Sequence, residues 1–139
     1  MTLAQLQAAL RAEKTDRGLR LVLSADSLFQ QKEAELDSAA EMPLTTLAEL
    51  VVAIKPREIV VIGHTDSVGD DAANLALSKQ RAHAIAAWLA AHAPKMRPHF
   101  VEEGFGRTRP VAPNHNADGS DNPAGQAANR RIEVLLRRR

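Results

Sequence analysis

Cysteine is missing from all 139 residues, which excludes disulfide cross-links, thiolate chemistry and Cys-ligated zinc. Tyrosine is missing too, and the aromatic residues are only Trp88, Phe29, Phe100 and Phe105. Neither sign of charge dominates: 18 Lys and Arg stand against 17 Asp and Glu, a net charge of +1. Without stacking platforms or a basic stripe, a dedicated role in nucleic-acid binding is excluded. No apolar run approaches the roughly 20 residues that a membrane-spanning helix needs. The start, MTLAQLQAALRAEK, is too polar for a signal peptide. Contact with a membrane is therefore expected only through parts of a parent protein that lie outside this sequence.

What is present suits a globular domain. Hydrophobic residues make up 45% and charged residues 25%, enough apolar material for one core in one domain with a short appendage. Residues 2–14 read as a helix, with Thr2 and Gln5 at capping-box spacing and a stripe of Leu3, Leu6 and Leu10, stopped near Gly18. We therefore expect residues 1–17 to be a helical spacer or the remnant of a preceding region, and residues 18–139 to form the domain. Leu19–Ser24 alternates as a strand and is followed by a turn-like Ala25-Asp26-Ser27. Ser38 and Glu41 have capping-box spacing before a helical stripe of Leu44, Leu47, Ala48, Val51 and Ile54. Lys55-Pro56 closes it, and Pro43 is a candidate first-turn residue. Glu58–Gly63 is β-branched and continuously apolar, as a strand covered on both faces should be. A long helix over Ala72–Ala93 ends before Pro94, and Pro98–Glu102 is a third strand. Glu103–Asn129 has no regular period, Arg131–Leu136 is a last strand, and Arg137-Arg138-Arg139 reads as a solvated tail. The order is β-α-β-α-β-β, one sheet with helices packed against it.

Two residues disturb this pattern. Asp66 stands where the strand 58–63 ends, and Arg81 falls within the apolar stripe of the following helix. With Leu77 at zero on a helical wheel, Trp88 falls at about 20°, Arg81 at about 40°, Asn74 at about 60° and Ile85 at about 80°. Arg81 is thus expected at the centre of the apolar arc. It either snorkels to water or serves a site. The carboxyl edge of a central strand and the start of the next helix form a natural crevice, where unpaired amides favour an anion. Asp66 can accept an ammonium group there, while Arg81 and the helix-start amides can take a carboxylate. Together they suit the zwitterionic end of an amino acid. The competing reading pairs Asp66 with Arg81 as scaffold.

The segment GHTDSVGDDAANLALSKQRAHAI, with the later GFGRTRPVAPN and NRRIEV, closely resembles the OmpA-like domain, the carboxy-terminal domain of OmpA and MotB proteins. The resemblance covers about residues 18–139 and implies an α+β fold, a mixed four-stranded sheet flanked by helices. It also implies non-covalent binding of the diaminopimelate of peptidoglycan stem peptides, anchoring a cell-envelope protein to the wall. Carried over by motif, the ligand-binding residues are Thr65, Asp66, Asn74, Leu77, Arg81 and Arg130, with Arg131 structural and His64 packed at the strand end. The implied partner is diaminopimelate-type peptidoglycan, and the implied location is the periplasm, in a protein associated with the outer membrane. The sequence departs from the family twice: Gly125-Gln126 stands where Gly-Arg is usual, and the loop Asn114–Pro123 is longer. Both departures concern the rim of the pocket. The runner-up functions on this fold are a protein–protein interaction module with a structural Asp66–Arg81 pair, or a stator-type module.

The patterns of catalysis and metal binding are not there. His64-Thr65-Asp66 with Ser67 or Ser78 lacks a nucleophile elbow and a third orienting group. His64, Asp66 and His83 have no zinc-site spacing, and the runs DDAAN and NADGSDN supply too few ligands for calcium. Asp70-Asp71 reads as a helix cap. We expect a binding domain that is not an enzyme and needs no cofactor or metal.

Overall fold

Residues 58–64 carry the most continuous apolar, β-branched run of the chain, and a strand of that kind belongs in the interior of a sheet. The computed structural model, which describes residues 1–93 and 97–138, places it there. Its elements are α1 (Leu3–Ala9), β1 (Glu13–Thr15), β2 (Gly18–Ser24), α2 (Ala25–Leu28), α3 (Glu41–Ile54), β3 (Glu58–His64), α4 (Asp71–His92), β4 (His99–Gly104), α5 (Pro123–Asn129) and β5 (Arg131–Arg137). The strands form one sheet in the order β1-β2-β5-β3-β4. β3 and β4 run parallel across the α4 connection, and every other pairing is antiparallel. The fold is the expected mixed α+β sheet flanked by helices, with five strands in place of four.

Alternation decides which face of the sheet is covered. Leu19, Leu21 and Leu23 of β2, Ile59 and Val61 of β3, and Ile132, Val134 and Leu136 of β5 all point into one core. The α3 stripe of Leu44, Leu47, Ala48, Val51 and Ile54 meets them, as its period predicts. Helix α4 lies unusually close to the sheet. Gly63 and Gly104 face each other across β3 and β4, and a Cβ on either would collide with α4 backbone, at the Ser78 carbonyl and the Lys79 amide respectively. This glycine pair sets the height of α4 over the end of β3, and so the shape of the crevice beside it.

Four expectations change. The first helix stops at Ala9, although its capping box forms: Thr2 Oγ1 accepts from Gln5 N at 3.1 Å and Gln5 Oε1 accepts from Thr2 N at 2.8 Å. Arg11 then turns with φ 51°, and Glu13–Thr15 becomes the fifth strand, paired with β2. The expected boundary at residues 17/18 falls at the tip of this hairpin, with Thr15 opposite Gly18. Leu6 and Leu10 are buried in the common core. Second, Ser38 and Glu41 form no capping box. Ser38–Ala40 is a 3-10 turn, and α3 starts after Ala40, with Pro43 in its first turn. Third, the supposedly irregular stretch contains α5, whose start is capped by Asn122 Oδ1 accepting from Gly125 N at 2.9 Å, with Pro123 in the first turn. Fourth, Arg137 is not part of a solvated tail: it ends β5 and pairs with Glu58 at 3.1 Å. The long helix begins one residue early and ends at His92; its expected stop at Pro94 and the terminal Arg139 lie outside the described residues.

Candidate functional site

Asp66 follows β3 by two residues and is set by its own turn. Its Oδ1 accepts from Val68 N at 3.0 Å, and Asn74 Nδ2 donates to the Val68 carbonyl at 2.9 Å. Thr65 is fixed on the other side, its amide donating to the Gly106 carbonyl at 2.9 Å and its hydroxyl to the Asp66 carbonyl at 2.8 Å. At the start of α4, Asp70 caps the helix by accepting from Ala73 N at 2.9 Å. That carboxylate takes the Ala73 amide at the helix start, where anion-binding amides were expected, and Asn74 and Leu77 further along α4 line the cavity.

Arg81 is buried, at 4% exposure, but it lies at the edge of the buried face and not at its centre. Ser78, Ala82, Ile85, Ala86 and Leu89 make up the rest of that face, and the close approach to the glycine pair is made at Ser78 and Lys79. Its guanidinium does not snorkel. Nε donates to the Glu33 carbonyl at 2.7 Å and Nη2 to the Gln30 carbonyl at 3.2 Å, with the Phe29 ring centroid 5.0 Å away. The scaffold reading of an Asp66–Arg81 pair is overturned by this geometry: Arg81 gives two donors to loop carbonyls, and Asp66 pairs with another guanidinium. Burial lowers the Arg81 pKa; the charge of Asp26 opposes that shift, Arg130 adds to it, and Asp66 opposes it.

The partner of Asp66 is Arg130, whose Nη1 lies 2.6 Å from Asp66 Oδ2. The same guanidinium grips Asp26 through two parallel bonds, Nε to Oδ1 at 2.9 Å and Nη2 to Oδ2 at 3.0 Å. These bonds, first of all those to Asp26, raise the Arg130 pKa. Thr65, Asp66, Asn74, Leu77, Arg81 and Arg130 all line one cavity of about 440 Å³. Asp26, Phe29, Gln31, Lys32, Val68 and Gln126 complete it. The sequence reading missed Asp26 and Lys32, which sit in segments without period. Gln126, noted as a departure, is buried and donates Nε2 to the Asn114 carbonyl at 3.0 Å and to Asp121 Oδ1 at 3.1 Å. The unusual residue and the long loop are therefore one unit: Gln126 holds the loop against the rim.

The neighbouring residues are structural. Arg131 is buried and donates to Glu133 Oε1 at 3.0 Å and to the Arg109 carbonyl at 2.9 Å. Asn129 Oδ1 accepts from Val111 N and Ala112 N at 2.7 and 3.0 Å, holding the loop onto α5. His64 is buried against Phe105, with Nε2 3.2 Å from Glu133 Oε1 but without hydrogen-bond alignment. Ser78 Oγ donates to the Leu75 carbonyl at 2.8 Å and accepts from Gly106 N at 2.9 Å, so its hydroxyl is committed. His83 faces Glu102 at 2.8 Å on the outer side of α4, apart from His64 and Asp66. Among the described residues no group of three His, Cys, Asp or Glu could hold a metal ion. Nor is any helix among them long and apolar enough to cross a membrane.

Sequence and fold both match known proteins. The sequence matches the OmpA family over residues 28–123. It is 32% identical to outer membrane protein A of Bordetella avium over 84% of this chain and 57% of that one. It is 29% identical to the peptidoglycan-binding protein ArfA of Mycobacterium bovis over 96% of this chain and 36% of that one. The structure superposes on the cell wall anchor of the T6SS from Pseudomonas aeruginosa with a TM-score of 0.79 and 26% identity, covering 97% of this chain and 96% of that one. The chain spans only part of its curated relatives, 14% of one that is 33% identical and 70% of another. The family match covers more than half of the chain and the solved structure shares its fold, so the chain belongs to the OmpA family.

Proposed function

We propose that this domain binds peptidoglycan without covalent attachment, by holding the diaminopimelate end of a stem peptide in the cavity between β3, α4 and β5. Relatives in this family bind peptidoglycan and anchor to the cell wall, which supports the coarse assignment. The observation that carries the finer one is that a single cavity is lined by the carboxylates of Asp66 and Asp26 together with the guanidiniums of Arg81 and Arg130, groups for both an ammonium and a carboxylate. Asp66 accepts the ligand ammonium. Arg81 has two of its five N–H donors fixed by the Gln30 and Glu33 carbonyls, which orients the remaining donors for a carboxylate. Thr65, Asn74 and Leu77 shape the wall between them. The domain acts as a binding module with no catalytic step. By the same proposal it works in the periplasm, tethering an envelope protein associated with the outer membrane.

Calorimetric titration tests this with two stem peptides, one carrying diaminopimelate and one carrying lysine, which keeps the ammonium and lacks the second carboxylate. The diaminopimelate peptide should bind clearly more tightly, because the lysine peptide leaves the guanidiniums without their anion. In Asp66→Asn the ligand ammonium loses its counter-charge, at a cost of about 2–5 kcal/mol, roughly 30-fold to several-thousand-fold in affinity. Equal titration curves for the two peptides would refute the assignment. Arg81→Leu should lose both binding and stability, because it also strips the partners from two loop carbonyls.

A further inference from the structure

We infer that Asp26 is a positioning residue of this pocket: it holds Arg130 in place, so that Arg81 and Arg130 together form a two-guanidinium clamp for the ligand carboxylate. The inference rests on the binding reading above and adds to it a residue that was not among the expected ligand contacts. Arg130 reaches the cavity from the residue between α5 and β5, and two carboxylates compete for it. Asp26 takes its Nε and one Nη2 donor, and Asp66 takes one Nη1 donor. Of the five donors of a guanidinium, two therefore remain for a ligand. Arg81 and Arg130 are near enough for the charge of one to lower the pKa of the other, and an anion placed between them relieves that repulsion.

Asp26 makes this arrangement possible in two ways. Its bidentate grip fixes the plane of the guanidinium, which a single bond to Asp66 does not. It also keeps that fork away from Asp66. Without Asp26, the fork of Arg130 is released to close on Asp66 as a bidentate pair, consuming the carboxylate that the ligand ammonium needs and withdrawing a donor from the ligand carboxylate. Asp26 is about half exposed, at 51% for the side chain, so its removal leaves no unpaired buried charge and the fold should tolerate it.

The test uses Asp26→Asn and Asp26→Glu in the intact chain, titrated with the diaminopimelate and lysine stem peptides, with melting temperatures measured alongside. Asp26→Asn should weaken the diaminopimelate peptide about tenfold and the lysine peptide less, so that the ratio of the two affinities falls. Asp26→Glu, which keeps the carboxylate, should restore most of the ratio. A purely structural Asp26 would shift the melting temperature and leave the ratio at its wild-type value. An unchanged ratio in Asp26→Asn, or tighter binding of the diaminopimelate peptide, overturns the inference. If the wild-type chain binds neither peptide, it is the binding reading that fails.

Discussion

Glu133 shows how much one side chain can depend on its neighbours. It lies on the sheet face opposite the core, where Arg131 Nη2 approaches at 2.9 Å, Arg20 Nη2 at 3.4 Å and His64 Nε2 at 3.2 Å. His64 first, then Arg131 and Arg20, hold its pKa at about 2 in place of the ordinary 4.5, against the opposing effect of burial. The folded-state value lies below the unfolded one, so the stabilisation is complete above pH 4.5 and is lost as the pH falls toward about 2. Its size is on the order of 2–3 kcal/mol. Denaturant unfolding from pH 5 down to pH 2 should therefore show a steeper loss of stability in the wild type than in Glu133→Gln. Parallel curves for the two proteins would place the acid sensitivity elsewhere. At this scale the sequence was legible where a signal is local. Asp66 and Arg81 stood out because one interrupts a strand and the other a helical stripe. Asp26 did not, because its partner Arg130 is 104 residues away and neither breaks a pattern.

Among the elements, α4 depends most closely on a feature of its neighbours. Its backbone rests on Gly63 and Gly104, where any side chain meets helix backbone that cannot rotate away. Gly63→Ala should cost about 1–3 kcal/mol or more by overpacking. It should also weaken peptide binding, since lifting α4 moves Asn74, Leu77 and Arg81 together. Thermal unfolding and titration of the same variant check both effects. Normal affinity at lowered stability would show that the pocket does not depend on the height of the helix. The elements legible in the sequence were α3 and α4, long enough to show a period, and β2 to β5, marked by alternation or by β-branched apolar runs. β1 and α5 were missed for the converse reason: three residues of strand and seven of helix show no reliable period. Asn122-Pro123 was nonetheless a readable start signal for α5. Ser38 and Glu41 misled in the other direction, since capping-box spacing appeared where the chain makes a 3-10 turn.

For the whole molecule, the amino-terminal segment matters more than a spacer would. Leu6 and Leu10 are 3% and 8% exposed and belong to the same core as α3 and the sheet. Burial of each contributes about 1.5–3 kcal/mol, so deleting residues 1–12 should lower the melting temperature markedly. An unchanged melting temperature would restore the view of residues 1–17 as an independent spacer. The sheet order was not readable from periodicity, which reports which face is buried and not which strand is the neighbour. It was the resemblance that implied a mixed sheet. That order has a mechanical consequence. Asp66 leaves the end of β3 and Arg130 precedes the start of β5, and these are adjacent strands in the interior of the sheet. A pull on a ligand held by both residues runs lengthwise along those two strands. The ladders that join this pair to β2 and β4 then take the force together, in shear, and do not peel apart one by one.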